Sequence, residues 1–272
     1  MGYVKEKQKM MKICKKCPPG FIFMTAAMSL CCGSALAGDK NESLGFNVSF
    51  DYFGKYIWRG QNVNDDPVFQ PSISAGYADL TATIWGSFDL TNYNGNSGDF
   101  SELDYSLDYT SSLPGFQLVD FSIGVIYYDF PGSTIRDTTE LYWGLVFDLP
   151  LNPSITVYHD VDEAEGSYVS LGLAHSIENI AELSPDCSVG IQISAGLGWG
   201  SGSYNKYYWS TDQSKMQDLR LALSFPVELW NGWTLAPNLN YVTLLSDDIR
   251  AADTYRTESD YFFAGLALSK DF

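Results

Sequence analysis

From Val189 to Trp199 every odd position is apolar (Val189, Ile191, Ile193, Ala195, Leu197, Trp199), while Gly190, Gln192, Ser194, Gly196 and Gly198 fill the even ones. A period of two held this long belongs to a β-strand whose two faces meet different surroundings. The segment near 44–59 repeats it, with Phe46, Val48, Phe50, Tyr52, Tyr56 and Trp58 on one face and Asn47, Ser49, Asp51, Lys55 and Arg59 on the other. Extended along the chain, the pattern predicts strands near 44–59, 68–77, 80–90, 101–109, 119–130, 139–147, 154–161, 167–176, 187–200, 216–228, 233–245 and 261–272. Twelve is an even number, as antiparallel closure requires.

The connections alternate in kind. Ala78-Asp79, Leu113-Pro114-Gly115, 149–153 and Trp230-Asn231-Gly232 are short and turn-like, with 177–186 as the one longer member. Between them, 60–67, 91–100, 131–138, 162–166, 201–215 and 246–260 are longer on average and rich in Asp, Asn, Gly, Ser and Tyr. Such an order fits an outer-membrane barrel, with turns in the periplasm and loops outside. A secreted β-sandwich would also alternate, but three features favour the barrel. Many of the strands suit a tilted membrane crossing, beyond the roughly 5–6 residues usual in soluble domains. Aromatic residues of the apolar face gather at two levels: Tyr56, Trp58, Phe69, Phe88, Tyr127, Trp199 and Tyr241 near the long loops, and Phe46, Tyr77, Tyr109, Phe121, Phe147, Phe225 and Trp233 near the short turns. Rings at two levels read as interfacial girdles. Finally, the last strand carries Phe262, Ala264, Leu266 and Leu268 on one face and ends in Phe272, which resembles the sorting signal that the barrel assembly machinery reads.

Three residues sit awkwardly in this scheme. Lys270 falls on the lipid side, where its stem can snorkel to water, and Pro71 and Pro237 each forfeit a ladder hydrogen bond and are expected to mark bulges.

The first forty residues are of another kind. Six lysines between Lys5 and Lys16 precede the apolar stretch from Phe21 to Leu30, and Ala35-Leu36-Ala37 follows as a cleavage pattern. Residues 1–37 are expected to be a cleaved secretory signal peptide, with 38–272 the mature barrel and Met1, Met10 and Met11 all open as starts. Cys14, Cys17, Cys31 and Cys32 leave with it. Leu30 and Cys31 stand where a lipobox needs a small residue, and mature Cys187 has no partner for a disulfide.

Charge narrows the function classes. The full chain carries 16 Lys+Arg against 33 Asp+Glu, a net −17, and without the leader 10 basic residues face 32 acidic ones, a net −22. Few, dispersed cations argue against a nucleic-acid partner. No stretch after Ala37 approaches the 18 consecutive apolar residues of a transmembrane helix.

Tyr56-Ile57-Trp58-Arg59-Gly60, Asp66-Pro67-Val68-Phe69-Gln70-Pro71, Ile84-Trp85-Gly86-Ser87, the run Ile123 to Phe130 followed by Pro131-Gly132, and the ending Leu268-Ser269-Lys270-Asp271-Phe272 together resemble the TorF-type porin family over nearly all of the mature chain. The resemblance implies an outer-membrane barrel passing small solutes, with no catalytic residues and no defined substrate to carry over.

The expectation is therefore an all-β chain, a transmembrane antiparallel up-and-down barrel of twelve strands in the outer membrane of a Gram-negative-type bacterium. Its partners would be outer-membrane lipid, the assembly machinery and small polar solutes or ions, without cofactor or metal. If the apolar face meets lipid, the other lines the lumen: Asp51, Lys55, Arg59, Asp89, Asp104, Asp108, Asp120, Glu140, Asp160, Asp218 and Arg220. Two readings stay open. Carboxylates in excess would line a water-filled, cation-favouring passage, or Lys55, Arg59 and Arg220 would pair with them and plug it. Arg59 is the leading single candidate, a fixed guanidinium near the outer mouth. Tyr204, Tyr207, Tyr208 and Trp209 form a candidate loop site for polar rings, against plain packing over the mouth. The run 160–166 resembles part of a calcium loop, but Ala164 occupies a ligand position. A barrel enzyme is the rival class, yet His159 and His175 fall on the lipid side in the register of their neighbours. A non-conducting structural or adhesive barrel is the third class.

Overall fold

The computed structural model describes residues 43–95, 97–184, 187–255 and 258–272; the leader 1–37 lies outside them. Among the described residues, twelve antiparallel strands close into one barrel. In chain order these are β1 (Gly45–Phe53), β4 (Val68–Tyr77), β5 (Leu80–Asp89), β6 (Phe100–Ser112), β7 (Val119–Asp129), β8 (Thr138–Phe147), β9 (Ser154–Asp160), β10 (Ser167–Ser184), β11 (Cys187–Gly200), β12 (Lys215–Ser224), β14 (Trp233–Leu244) and β15 (Asp260–Asp271). Each pairs with its neighbours in sequence, and β1 pairs with β15 from Asn47↔Asp271 to Phe53↔Gly265, which closes the ring. Closure leaves no edge strand in the ring and lets polar backbone cross a hydrocarbon layer. A two-residue strand, β13 (Val227–Glu228), continues β12 along β14 in the same register.

The alternation explains the two surfaces. Phe50, Ile84, Leu107, Ile123, Leu171, Leu221 and Phe262 project outward and stay exposed, an apolar belt that would cost a water-soluble protein dearly and suits lipid. Ser49, Asp51, Ser87, Asp108, Ser170 and Asn240 point inward and are buried. The fold and its outer surface are those of an outer-membrane barrel. Near one edge of the belt, Lys270 lies 5.7 Å from the Trp233 ring and 4.7 Å from that of Phe272, so aromatic faces hold the cation that breaks the apolar pattern.

Three expectations need correction. The first wall strand stops at Phe53 rather than running to Arg59. Its ladder with β4 ends at Val68, where β4 begins, and its ladder with β15 ends at Gly265 although β15 runs on to Asp260, so residues beyond Gly54 leave the wall. They pair with each other instead, as β2 (Tyr56–Trp58) and β3 (Gln61–Asn64), a separate two-stranded sheet. The segment 177–186, read as a turn, belongs largely to β10, whose pairing with β11 continues with register shifts to Ser184↔Cys187, well beyond the last β9 pair at Gly172. Neither Pro71 nor Pro237 makes a bulge. The β4–β5 ladder lacks the pairs opposite Gln70 and Pro71 but keeps one register from Phe69↔Phe88 to Ser72↔Trp85, and Pro237 pairs with Leu266 without a shift.

Candidate functional site

The β2–β3 hairpin folds into the barrel from the long-loop end. Its turn is Arg59-Gly60, with φ of 49° and 83°, the pair of positive values that a two-residue hairpin of the strand-matching type demands. Gly60 suits this. Arg59 does not, and a side-chain-bearing residue there stores about 1–3 kcal/mol of strain. Gly60 is also confined, since a Cβ there would lie 2.8 Å from Leu244 Cδ2 and 3.0 Å from Asp218 Cβ.

What holds the strained tip is on the opposite wall. In the ring of twelve strands, β9 lies directly across from β1, with β8 and β10 beside it. Arg59 reaches all three. Its two terminal nitrogens donate to the two carboxylate oxygens of Glu140 on β8, each at 2.7 Å, and Nη1 donates to the Tyr204 hydroxyl at 3.0 Å. Its guanidinium lies 4.4 Å from the rings of Trp58 and Tyr158, 4.6 Å from Tyr168 and 5.8 Å from Tyr204. Tyr128 on β7 donates to the Glu140 Oε2 at 2.8 Å and fixes the carboxylate from the other side. The Arg59 side chain is 0% exposed and that of Glu140 1%. At this level the hairpin crosses the lumen to the far wall.

The long-loop helices complete the closure. Helix α1 (Gly202–Trp209), capped by Ser201, brings in Tyr204 and Tyr208, whose tilted rings lie 4.6 Å apart, and Tyr208 meets Trp58 at 5.4 Å. Trp209 packs against Tyr255, whose hydroxyl bonds Gln61 Oε1, and Ile249 of α2 (Asp247–Ala252) joins the same cluster. Burial raises the Tyr204 phenol above its usual range, so it meets Arg59 as a neutral acceptor.

Most of the other inward charged residues are hydrogen-bonded or paired, while Asp104 Oδ1, Gln192 Oε1 and Ser194 Oγ are buried without a hydrogen bond. On the inner wall, Asp51 accepts from Ser49, Asp89 from Ser101 at 2.9 Å, and Asp108 from Thr110 and Tyr142, each at 2.6 Å. Asp218 accepts from Tyr168 at 2.9 Å and pairs with Arg220 at 2.9 Å, while Arg220 also donates to Ser170 at 2.9 Å. Glycine makes room for them: a Cβ at Gly198 would fall 2.1 Å from Asp218 Oδ1. Asp104 is buried on β6 beside Glu102, two residues away on the same face, and Asp120 is half-buried on β7. Lys55 leaves the wall and pairs with Asp65 across the base of the hairpin. Partial burial opposes ionisation of Asp65, but hydrogen bonds from Lys55 and Asn62 hold its carboxyl below the usual range.

Of the four loop aromatics, Tyr204 and Trp209 are buried in the closure and Tyr208 partly so, leaving Tyr207 exposed. The calcium-like run is used by the backbone: Asp160 accepts from the N–H groups of Asp162 and Ala164 and from Thr138 Oγ1. Among the described residues no group of three or more potential ligands is placed to hold a metal. His159 and His175 are on the outer surface.

No protein-family model matches the chain, and no curated protein matches it in sequence. Solved structures do. LpxR from Salmonella typhimurium is similar at a TM-score of 0.50 and 8% identity, over 82% of this chain and 99% of that one. The NanC porin is similar at 0.48 and 11% identity, over 83% and 98%. The KdgM porin in complex with disordered oligogalacturonate stands at 0.48 and 7%, over 84% and 99%. The likeness is one of fold: an outer-membrane barrel.

Several site residues escape the sequence reading. Glu102, which shares the parity of Asp104 and Asp108, and the uncharged Tyr128, Tyr142, Tyr158 and Tyr168 are all buried on the inner face. The signal was parity. Tyr127 and Tyr128 are adjacent in one strand, so only one of them can face lipid, and an outward His159 turns Tyr158 and Asp160 inward. Tyr56 and Trp58, assigned to the outer girdle, are buried in the lumen instead, because the hairpin leaves the wall before them.

Proposed function

We propose that this chain is an outer-membrane channel of porin type, akin to the TorF-type porins, that admits small polar solutes and favours cations, and that the β2–β3 hairpin closes it in the conformation described. The observation that carries this reading is the independence of the hairpin. Its ladder is made only with itself, and the twelve-stranded ring is complete without it. Withdrawing the hairpin therefore breaks no wall hydrogen bond, as a gate requires. The inner wall supports the ion preference: Asp51, Asp89, Glu102, Asp104, Asp108, Glu140, Asp160 and Asp218 are buried there, against Arg59 and Arg220. Carboxylates lining a low-dielectric passage raise the local cation concentration.

A second reading, a barrel that never conducts, draws on the absence of solvent around Arg59 and Glu140. Planar-bilayer recording in a salt gradient separates the two. Discrete steps with a reversal potential displaced to the cation side are expected from the folded protein. Anion preference would remove the role given to the carboxylates. Silence at all voltages from both the wild type and Arg59→Ala, with folding verified by the mobility of unheated samples on a gel, would establish the non-conducting barrel.

A further inference from the structure

The surroundings of Arg59 have the composition of a recognition site. A carboxylate engages the guanidinium through two parallel hydrogen bonds of 2.7 Å, and three of the rings around it belong to the far wall and α1: Tyr158, Tyr168 and Tyr204. Bidentate carboxylate geometry with aromatic faces discriminates a planar guanidinium from a compact ammonium and from neutral groups of the same shape. None of Glu140, Tyr128, Tyr158, Tyr168 or Tyr204 lies on the hairpin. When the hairpin leaves, Arg59 and Trp58 go with it, and the rest of the pocket stays on the wall and the helix.

We infer that this pocket is a binding site for solutes that carry a guanidinium group, and that Arg59 is its built-in occupant. The inference rests on the channel reading: such a solute, arriving through the long-loop end, takes the place of Arg59 on Glu140 and releases the hairpin. An occupant held at φ 49° is suited to displacement, because leaving the pocket also relieves its backbone. Glu140 thus recognises cargo and holds the gate with the same two oxygens.

Binding can be measured without any current. Folded Arg59→Ala protein in detergent, its pocket vacated, is titrated by calorimetry with arginine amide and with citrulline amide, whose neutral ureido group has nearly the same shape. Expected is one site for arginine amide, at least tenfold weaker binding of citrulline amide, and loss of both signals when Glu140→Gln is added. A folded Arg59→Ala protein that binds neither, or both alike, overturns the inference. Should that variant not fold, Arg59→Lys, which keeps the charge and gives up the fork, is titrated in the same way with the same criteria. Displacement is read in a Cys187→Ser background carrying Asn62→Cys, a buried hairpin position. Millimolar arginine amide should speed its thiol labelling at least threefold and citrulline amide should not; equal rates overturn the competition. Binding without conductance would sink the channel and leave the site, whereas conductance without binding would sink the site alone.

Discussion

Glu140 and Arg59 face one another with essentially no solvent on either side, so neither charge can be removed without stranding the other. Replacing a buried pair by apolar groups is often tolerated, but leaving one member alone costs about 3–5 kcal/mol. Glu140→Gln keeps the size of the side chain and removes its charge, and a drop of about that size in the unfolding free energy from urea titration is expected; an unchanged midpoint would mean that Arg59 finds other compensation. Gly60 tests the tip differently. Gly60→Val places branched carbon where Leu244 Cδ2 is 2.8 Å from even a Cβ, at a φ of 83° that a β-branched residue resists. The hairpin should then leave the lumen while the wall persists, and trypsin should cut after Arg59, which is buried at 1% exposure in the structure and is expected to be protected in the wild type. Protection equal to wild type would contradict the tight seat described for Gly60.

At the scale of elements, the wall strands follow from alternation and the inward hairpin does not. Parity alone sets which side chains of β12 face out, and Leu221 is 42% exposed on that face. Leu221→Arg should impair assembly, at a cost of about 2–4 kcal/mol for a cation near the bilayer midplane; normal yields of folded protein would show the register to be inverted. The strand boundaries were largely legible because each strand has one lipid face and one lumen face, and any slip would exchange them. Residues 56–64 keep the alternation of a strand but leave the wall: the ladder of β1 with β4 ends at Val68, where β4 itself begins, and the ladder with β15 ends at Gly265 although β15 runs on to Asp260. Pairing partners are a non-local property that no period in one segment can reveal. The Arg59-Gly60 turn did carry a local cue, a glycine at the second central position. Likewise, the long β10–β11 hairpin resembled a turn because its residues near 177–184 are exposed on both faces and lose the two-sided pattern.

For the molecule as a whole, the acidic balance proves to be an arrangement rather than a sum. Inner-wall carboxylates are held by hydroxyls, by Arg220 and by Arg59, and only the last of these cations comes from an element outside the wall. One removable hairpin thus both neutralises Glu140 and crosses the lumen. Whether it gates the barrel is decided by single-channel recording of a barrel in which residues 56–64 are replaced by a short Gly-Ser link, beside the wild type in the same bilayers. Larger and longer-lived cation-selective steps are expected from the shortened barrel. Steps equal to those of the wild type, or none from a correctly folded sample, would contradict the gating role.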